Sequence, residues 1–101
     1  MAKKSVTERD LRRRSMVARD SQKRFLLKSL IMNRSTSPEE RIDAVVKLSE
    51  LPRNGSAVRV RNRCMVTGRP RGFYRKFKMS RIALRELGNM GMIVGLVKSS
   101  W

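Results

Sequence analysis

One stretch of the chain has the spacing of a chemical site: Arg63–Arg85, RCMVTGRPRGFYRKFKMSRIALR. Cys64, Thr67, Ser80 and Ala83 fall at the four places of a C-x2-C-x12-C-x2-C frame, the pattern of a structural zinc module. Such a site takes four ligands, nearly always Cys or His. Here only Cys64 qualifies, since Thr67 and Ser80 bring neutral hydroxyls, Ala83 brings nothing, and the chain contains no histidine. No metal is expected, and no other cofactor. A nucleophilic role for Cys64 fails for a related reason, because such a thiol needs a neighbouring base to activate it. Cys64 reads as a small buried residue, and as the only cysteine it cannot form an intramolecular disulfide.

What the frame retains is charge and flat faces. Between Thr67 and Phe77 the chain reads TGRPRGFYRKF. Gly68 and Gly72 allow close backbone approach, and Pro70 stiffens the loop. Arg69, Arg71, Arg75, Lys76 and Lys78 supply cations, and Phe73, Tyr74 and Phe77 supply rings. Guanidinium groups bond phosphate in pairs and rings stack on unpaired bases, so this combination suits folded RNA. Phe77 is assigned instead to a small core with Met79, Ile82 and Leu84. For Tyr74, packing and stacking are equally good readings.

Composition points the same way. The 101 residues carry 25 Lys+Arg against 8 Asp+Glu, a formal net charge of +17. Such a chain repels itself unless an anion neutralises it. Residues 1–51 hold 13 basic and 7 acidic side chains; residues 52–101 hold 12 basic ones and a single acid, Glu86. From Arg53 to Arg85 there are 11 Lys or Arg and no acid. A surface made only for solubility mixes its signs, so an acid-free run argues for a face against phosphates. With aromatics at 5%, the core must be thin and the free chain marginally ordered. No run approaches the roughly 20 apolar residues of a membrane span, and no secretory h-region is visible.

These residues need elements to hold them. Ser5-Val6-Thr7-Glu8 has the pattern of a capping box, and the absence of Pro before Pro38 and of Gly before Gly55 predicts a long helix from about Val6 to Met32. Leu11, Ser15, Ala18 and Gln22 are its best apolar seam, and a weak one. Residues 3–28 carry 10 basic and 3 acidic residues, which favours a helix lying along RNA over a merely solvated one. Ser37 as N-cap, Pro38 as the first helical residue and Glu40 predict a second helix to about Glu50. The two form an αα-hairpin, with Phe25 and Leu30 set against Ile42, Val45 and Val46. Pro52 ends the second helix and Asn54-Gly55 makes a turn. Val58 and Val60 read as a short strand or as extended coil. A last helix runs from Arg81 to Leu87, with Ser80 as N-cap and Gly88 as its stop.

Taken together, RNRCMVTGRPRGFYRKFKMSRIALRE and the closing GLVKSSW resemble the family of the fourteenth protein of the small ribosomal subunit, in its longer, zinc-free branch. MAKKS at the start and LPRN before the loop fit too, so the resemblance spans essentially the whole chain. The ordered set Arg63-Cys64, Gly68-Arg69-Pro70, Phe77, Ser80-Arg81 and Arg85 carries it. The shorter branch of the family has four cysteines in the frame. The resemblance implies that rRNA of the small-subunit head surrounds this segment near the decoding region. It also implies neighbours, namely the third, tenth and nineteenth small-subunit proteins. Ile93-Val94-Gly95 departs from the Ile-Pro-Gly of many relatives, leaves the tail less stiff, and is consistent with a mitochondrial member; an alphaproteobacterial source fits as well.

The expected protein is mainly α-helical and elongated. A long N-terminal helix and an αα-hairpin lead into an extended basic loop and a short C-terminal helix, inside a zinc-free remnant of a zinc-module frame. It is one domain, residues 1–101, with a helical arm to residue 51 and a basic rRNA-binding segment from 52. It is expected to be a structural constituent of the small subunit, in a bacterial cytoplasm or a mitochondrial matrix. It is not expected to be an enzyme, a membrane protein or a homo-oligomer. The residues expected on RNA are Arg59, Arg61, Arg63, Arg69, Arg71, Tyr74, Arg75, Lys76, Arg81 and Arg85, with a second set, Lys3, Lys4, Arg12, Arg13 and Arg14, along the first helix. Trp101 can stack on a base or cap a protein contact. The alternative is a generic nucleic-acid-condensing protein, which would tolerate scrambling of residues 63–85.

Overall fold

The computed structural model describes residues 1–100. It is mainly helical: α1 (Lys4–Met32), α2 (Pro38–Glu50), two 3-10 turns (Arg53–Gly55 and Ala57–Arg59), strands β1 (Phe73–Tyr74) and β2 (Met79–Ser80), and α3 (Arg81–Asn89). The chain divides into two compact units, Glu8–Val60 on one hand and Met1–Thr7 with the chain from Arg61 onward on the other.

The Glu8–Val60 unit is organised by an unusual face of α1. Among the half-buried and buried positions of the helix are Val6, Asp10, Arg13, Val17, Asp20, Arg24, Leu27 and Ile31. Steps of four and three residues keep them on one side of a helix. The expected seam through Leu11 is therefore displaced, and Leu11 itself is exposed. Half of the true seam is charged, which hid it from a search for apolar periodicity. Its buried members, Asp10 and Asp20, are carboxylates. Asp10 pairs with Arg14 at 3.0 Å, and Asp20 takes two bonds from Arg19, at 2.9 and 3.3 Å. The residues after α2 pass close by. Arg24 donates to the Pro52 carbonyl at 2.6 Å, and a methyl group on Gly55 would stand 2.5 Å from an Asp20 carboxylate oxygen.

Arg19 sets the titration of this carboxylate. Its hydrogen bond to Asp20 holds the Asp20 pKa below the ordinary value; burial opposes this, and the charges of Arg19, Lys23 and Arg24 reinforce it. A native carboxyl that binds its proton more weakly than the unfolded one stabilises the fold above the unfolded pKa, about 3.9, and loses that contribution as pH falls through the lower native value. Thermal melts of the helical signal at high salt, where the cations are screened, should show the midpoint dropping below about pH 4. Asp20→Asn should flatten that drop, and an unchanged pH profile in the variant contradicts the assignment.

Helix α2 starts as its residues demand. Ser37 caps it by accepting from the Glu40 N–H at 3.4 Å, Pro38 opens the first turn, and Glu39 and Glu40 sit at the positive end of the helix dipole. The hairpin forms, but its packing differs from expectation. Ala44 is the buried residue of α2, in a cleft shared with Leu27 and Leu30, while Phe25, Ile42, Val45 and Val46 remain largely exposed. Arg41 ties the two helices by donating to the Ile31 carbonyl at 3.1 Å. Ala44 is the residue of α2 that this cleft covers; the larger β-branched residues beside it are exposed.

Three local expectations are corrected. α1 begins at Lys4, which puts Ser5 inside the helix, where it cannot act as the N-cap of a capping box. Val58 lies in the second 3-10 turn and Val60 just after it, so no strand forms there; the Arg59 N–H donates to Ser56 and that of Val60 to Ala57. α3 continues through Gly88 and ends at Asn89. Gly91, at φ +70°, supplies the left-handed residue, and the Met92 N–H reaches back to the Leu87 carbonyl at 3.0 Å while that of Gly91 bonds Gly88. This is a Schellman ending. It selects Gly91 because the chain reverses there, whereas Gly88 serves packing: the Leu96 side chain lies where its Cβ would be.

Candidate nucleic-acid interface

Three of the four frame residues, at 64, 80 and 83, form the core of the unit made by Met1–Thr7 and the chain from Arg61 onward. Cys64, Ser80 and Ala83 are each at most 3% exposed, and with Ala44 and the two aspartates they are the buried side chains of the described residues. The Cys64 end is a tight turn: the Gly68 N–H donates to the Cys64 carbonyl at 2.8 Å, and the Cys64 N–H to that of Arg69 at 3.0 Å. The Ser80 end begins α3, where the Ser80 hydroxyl caps the helix by accepting from the Ala83 N–H at 3.2 Å. Strands β1 and β2 pair antiparallel, Phe73 opposite Ser80 and Tyr74 opposite Met79, and this returns the chain to the turn. The Met65 N–H then donates to the Lys78 carbonyl at 3.1 Å.

The N-terminus completes this core. The Ala2 N–H donates to Thr67, and Gly68, at φ +76°, lies against Ala2 and Thr7 so closely that a Cβ would stand 2.8 Å from the Thr7 methyl. Only glycine meets both demands. The expected core of Phe77, Met79, Ile82 and Leu84 is displaced by one layer. Those four are half-buried or, for Ile82, exposed, while the fully buried positions are the frame residues Cys64, Ser80 and Ala83.

The sulfur of Cys64 is held as a ligand sulfur would be. Burial by itself raises the thiol's pKa. The Thr67 hydroxyl and the N–H groups of Ser80, Thr67 and Val66 outweigh that and bring it down to about 6. The Thr67 N–H donates to the sulfur at 3.5 Å. Among the described residues no group of three or more His, Cys, Asp or Glu could hold a metal, and no helix is long and apolar enough to cross a membrane.

The cations expected on RNA fall in both units: Arg59 ends the second 3-10 turn of the Glu8–Val60 unit, and those from Arg61 to Arg85 belong to the unit that holds the frame. Arg59, Arg61, Arg71, Arg75, Lys76, Arg81 and Arg85 are exposed, and Arg69 is half-buried. Lys76 lies 5.7 Å from the centre of the Phe77 ring. Arg63 differs: it is half-buried and donates to the Gly68 carbonyl at 3.1 Å, which braces the turn. Arg61 donates to Pro70 at 3.4 Å. Tyr74, Arg81 and Arg85 come together along one groove of about 610 Å3, between α3 and the segment from Leu96 to Ser100. Lys3, just before α1, and Lys4 and Arg12 within it are exposed, Arg14 pairs with Asp10, and Arg13 lies on the inward seam with its Nε buried and unpartnered. Trp101 lies outside the described residues. Sequence reasoning missed Glu86 and Asn89 in the groove, although Glu86 was marked as the lone acid of its half of the chain.

Basic side chains on a small unit whose buried residues keep the zinc-ribbon spacing, with one cysteine in four places, define the class as a basic, ribbon-like module. The family model described as ribosomal protein S14p/S29e matches residues 47–100. Along its full length the chain is 61% identical to the small ribosomal subunit protein uS14 of Rhizobium meliloti (strain 1021), and 62% and 60% identical to those of Sinorhizobium medicae and Agrobacterium fabrum, each also covered end to end. The chain belongs to the ribosomal protein S14p/S29e family. It is accordingly a structural constituent of the small ribosomal subunit and not an enzyme.

Proposed function

We propose that this chain, working as a single domain over residues 1–101, binds and organises rRNA of the small-subunit head near the decoding region. The third, tenth and nineteenth small-subunit proteins are its proposed neighbours. The bacterial relatives favour a ribosome in the bacterial cytoplasm over a mitochondrial one. One observation carries the reading. Arg59, Arg69, Arg71, Arg75, Arg81 and Arg85 find no carboxylate partner among the described residues; the ion pairs lie in α1, at Asp10 and Asp20. Cations placed this way have phosphate as their natural counter-charge, and guanidinium–phosphate bonds are charge-assisted. In the same reading the rRNA does for the frame what zinc does in four-cysteine relatives, by tying the loop from outside.

The test is incorporation. Tagged full-length protein should co-sediment with small subunits in sucrose gradients of lysate, and a version with residues 63–85 scrambled at constant charge should stay at the top. Entry of the scrambled chain into the particle would mean that charge alone suffices, as in a generic condensing protein.

A further inference from the structure

Glu86 is the only acid after Glu50, and it stands in the most cationic part of the chain. It lines the groove that also holds Tyr74, Arg81, Ile82, Arg85 and Asn89. Positions 81, 82, 85, 86 and 89 share one side of α3, since residues three and four apart are neighbours on a helix. Despite two arginines on the same helix face, the Glu86 carboxylate makes no ion pair or hydrogen bond among the described residues. A groove meant only for phosphate would be weakened by this charge. The acid calls for a ligand that offers hydrogen-bond donors beside its phosphates.

Resting on the rRNA reading above, we propose that this groove takes a single unpaired guanine of the RNA, with Glu86 reading its edge. A carboxylate only accepts hydrogen bonds, and through two oxygens side by side. Guanine presents two adjacent donors on its Watson–Crick edge, N1–H and the N2 amine, which match that fork as guanidinium matches carboxylate. The other bases present one donor group there. Tyr74, half exposed, gives the face on which the base stacks, as unpaired bases do on aromatic rings. Arg81 and Arg85 hold the flanking phosphates, and Asn89 can bond a remaining edge atom. The volume of about 610 Å3 lies within the roughly 300–1,000 Å3 of small-ligand sites.

The decisive variant is Glu86→Gln, because charge and recognition predict opposite signs. Full-length protein is titrated with short single-stranded RNAs that carry one guanine, inosine, adenine or uridine in a uridine background. Inosine lacks only the N2 amine. The unmodified chain should bind the guanine oligonucleotide about tenfold more tightly than the others. Glu86→Gln should bring all four to a common affinity. If the variant instead binds every RNA more tightly with the guanine ratio intact, or if the unmodified chain shows no preference, the proposal is overturned. A second measurement uses reconstituted small subunits probed with kethoxal, which reacts at guanine N1 and N2. One guanine should be protected in the unmodified particle and reactive in the Glu86→Gln particle; identical guanine patterns overturn the proposal. Should the unmodified chain fail to bind small-subunit rRNA at all, the rRNA reading itself falls, whereas rRNA binding without guanine preference sinks only this inference.

Discussion

Full-length protein carrying Arg69→Gln, Arg71→Gln, Arg75→Gln and Lys76→Gln is expected to bind small-subunit rRNA roughly 100- to 1000-fold more weakly at moderate salt. The side chains concerned form no ion pair with a described residue, and all but Arg69 are exposed, so their removal should leave the fold intact. Each lost phosphate contact also leaves fewer counterions to release, so a plot of log affinity against log salt should flatten by roughly one per contact, or about three to four in all. The control removes the same charge from the other unit, at Lys23, Lys28, Arg34 and Lys47, which are exposed. That variant should lose much less affinity. Filter binding over a salt series checks both. If the two variants weaken equally, net charge is what binds, and the arrangement of residues 69–76 around the frame has no part in it.

The elements that could be read in advance were those whose signals are local. Ser37, Pro38 and Glu40 specify the start of α2 by backbone chemistry alone, and Ser80 specifies the start of α3; both caps form. The end of α1 at Met32 matches the expected boundary. The seam of α1 was not legible, because periodicity searches count apolar residues and this seam alternates Val with Asp and Arg. Its charges are tolerable only because Arg19 and Arg14 neutralise the buried carboxylates, a fact of geometry that spacing alone does not reveal. The stop of α3 illustrates a second limit. Gly88 and Gly91 look alike in the sequence; the fold gives Gly91 the left-handed turn that ends the helix and uses Gly88 to make room for Leu96.

For the site, the frame spacing told more than its residue types. Cys64, Thr67, Ser80 and Ala83 could be dismissed as ligands, yet three of the four became buried core residues. The pattern encoded a turn, a strand pair and a helix cap, and the metal was only one way to join them. Arg63 shows the converse: counted with the RNA-facing arginines, it braces the Gly68 carbonyl. An arginine beside a glycine turn can serve backbone or phosphate, and composition does not separate the two.

The persistence of that geometry leads to the other large effect. The triple variant Thr67→Cys, Ser80→Cys, Ala83→Cys should bind one zinc ion tetrahedrally, with Cys64 as its fourth ligand. Cys64 already sits in a turn whose N–H groups favour the thiolate, its pKa being about 6. The Ser80 backbone lies against its sulfur, and Ala83 follows one helical turn on. Without metal the variant should be less stable than the natural chain. It loses the Ser80 cap, worth about 1 kcal/mol, and forces a sulfur into the space of the Ala83 methyl, which is 2% exposed. With metal the order should reverse, because structural zinc in small domains contributes about 10–16 kcal/mol of apparent binding free energy at neutral pH. Cobalt(II) titration reads the site directly: a tetrahedral thiolate spectrum saturating at one equivalent, displaced by zinc, together with a raised melting midpoint. Metal bound at other ratios, or in octahedral geometry, would mean that the four positions do not converge on one point and that the frame survives only as spacing. A zinc-loaded variant that also holds its loop in the absence of rRNA, seen as slowed amide exchange at Cys64 and Gly68, would connect the two ways of closing this loop, by an ion from within or by phosphates from without.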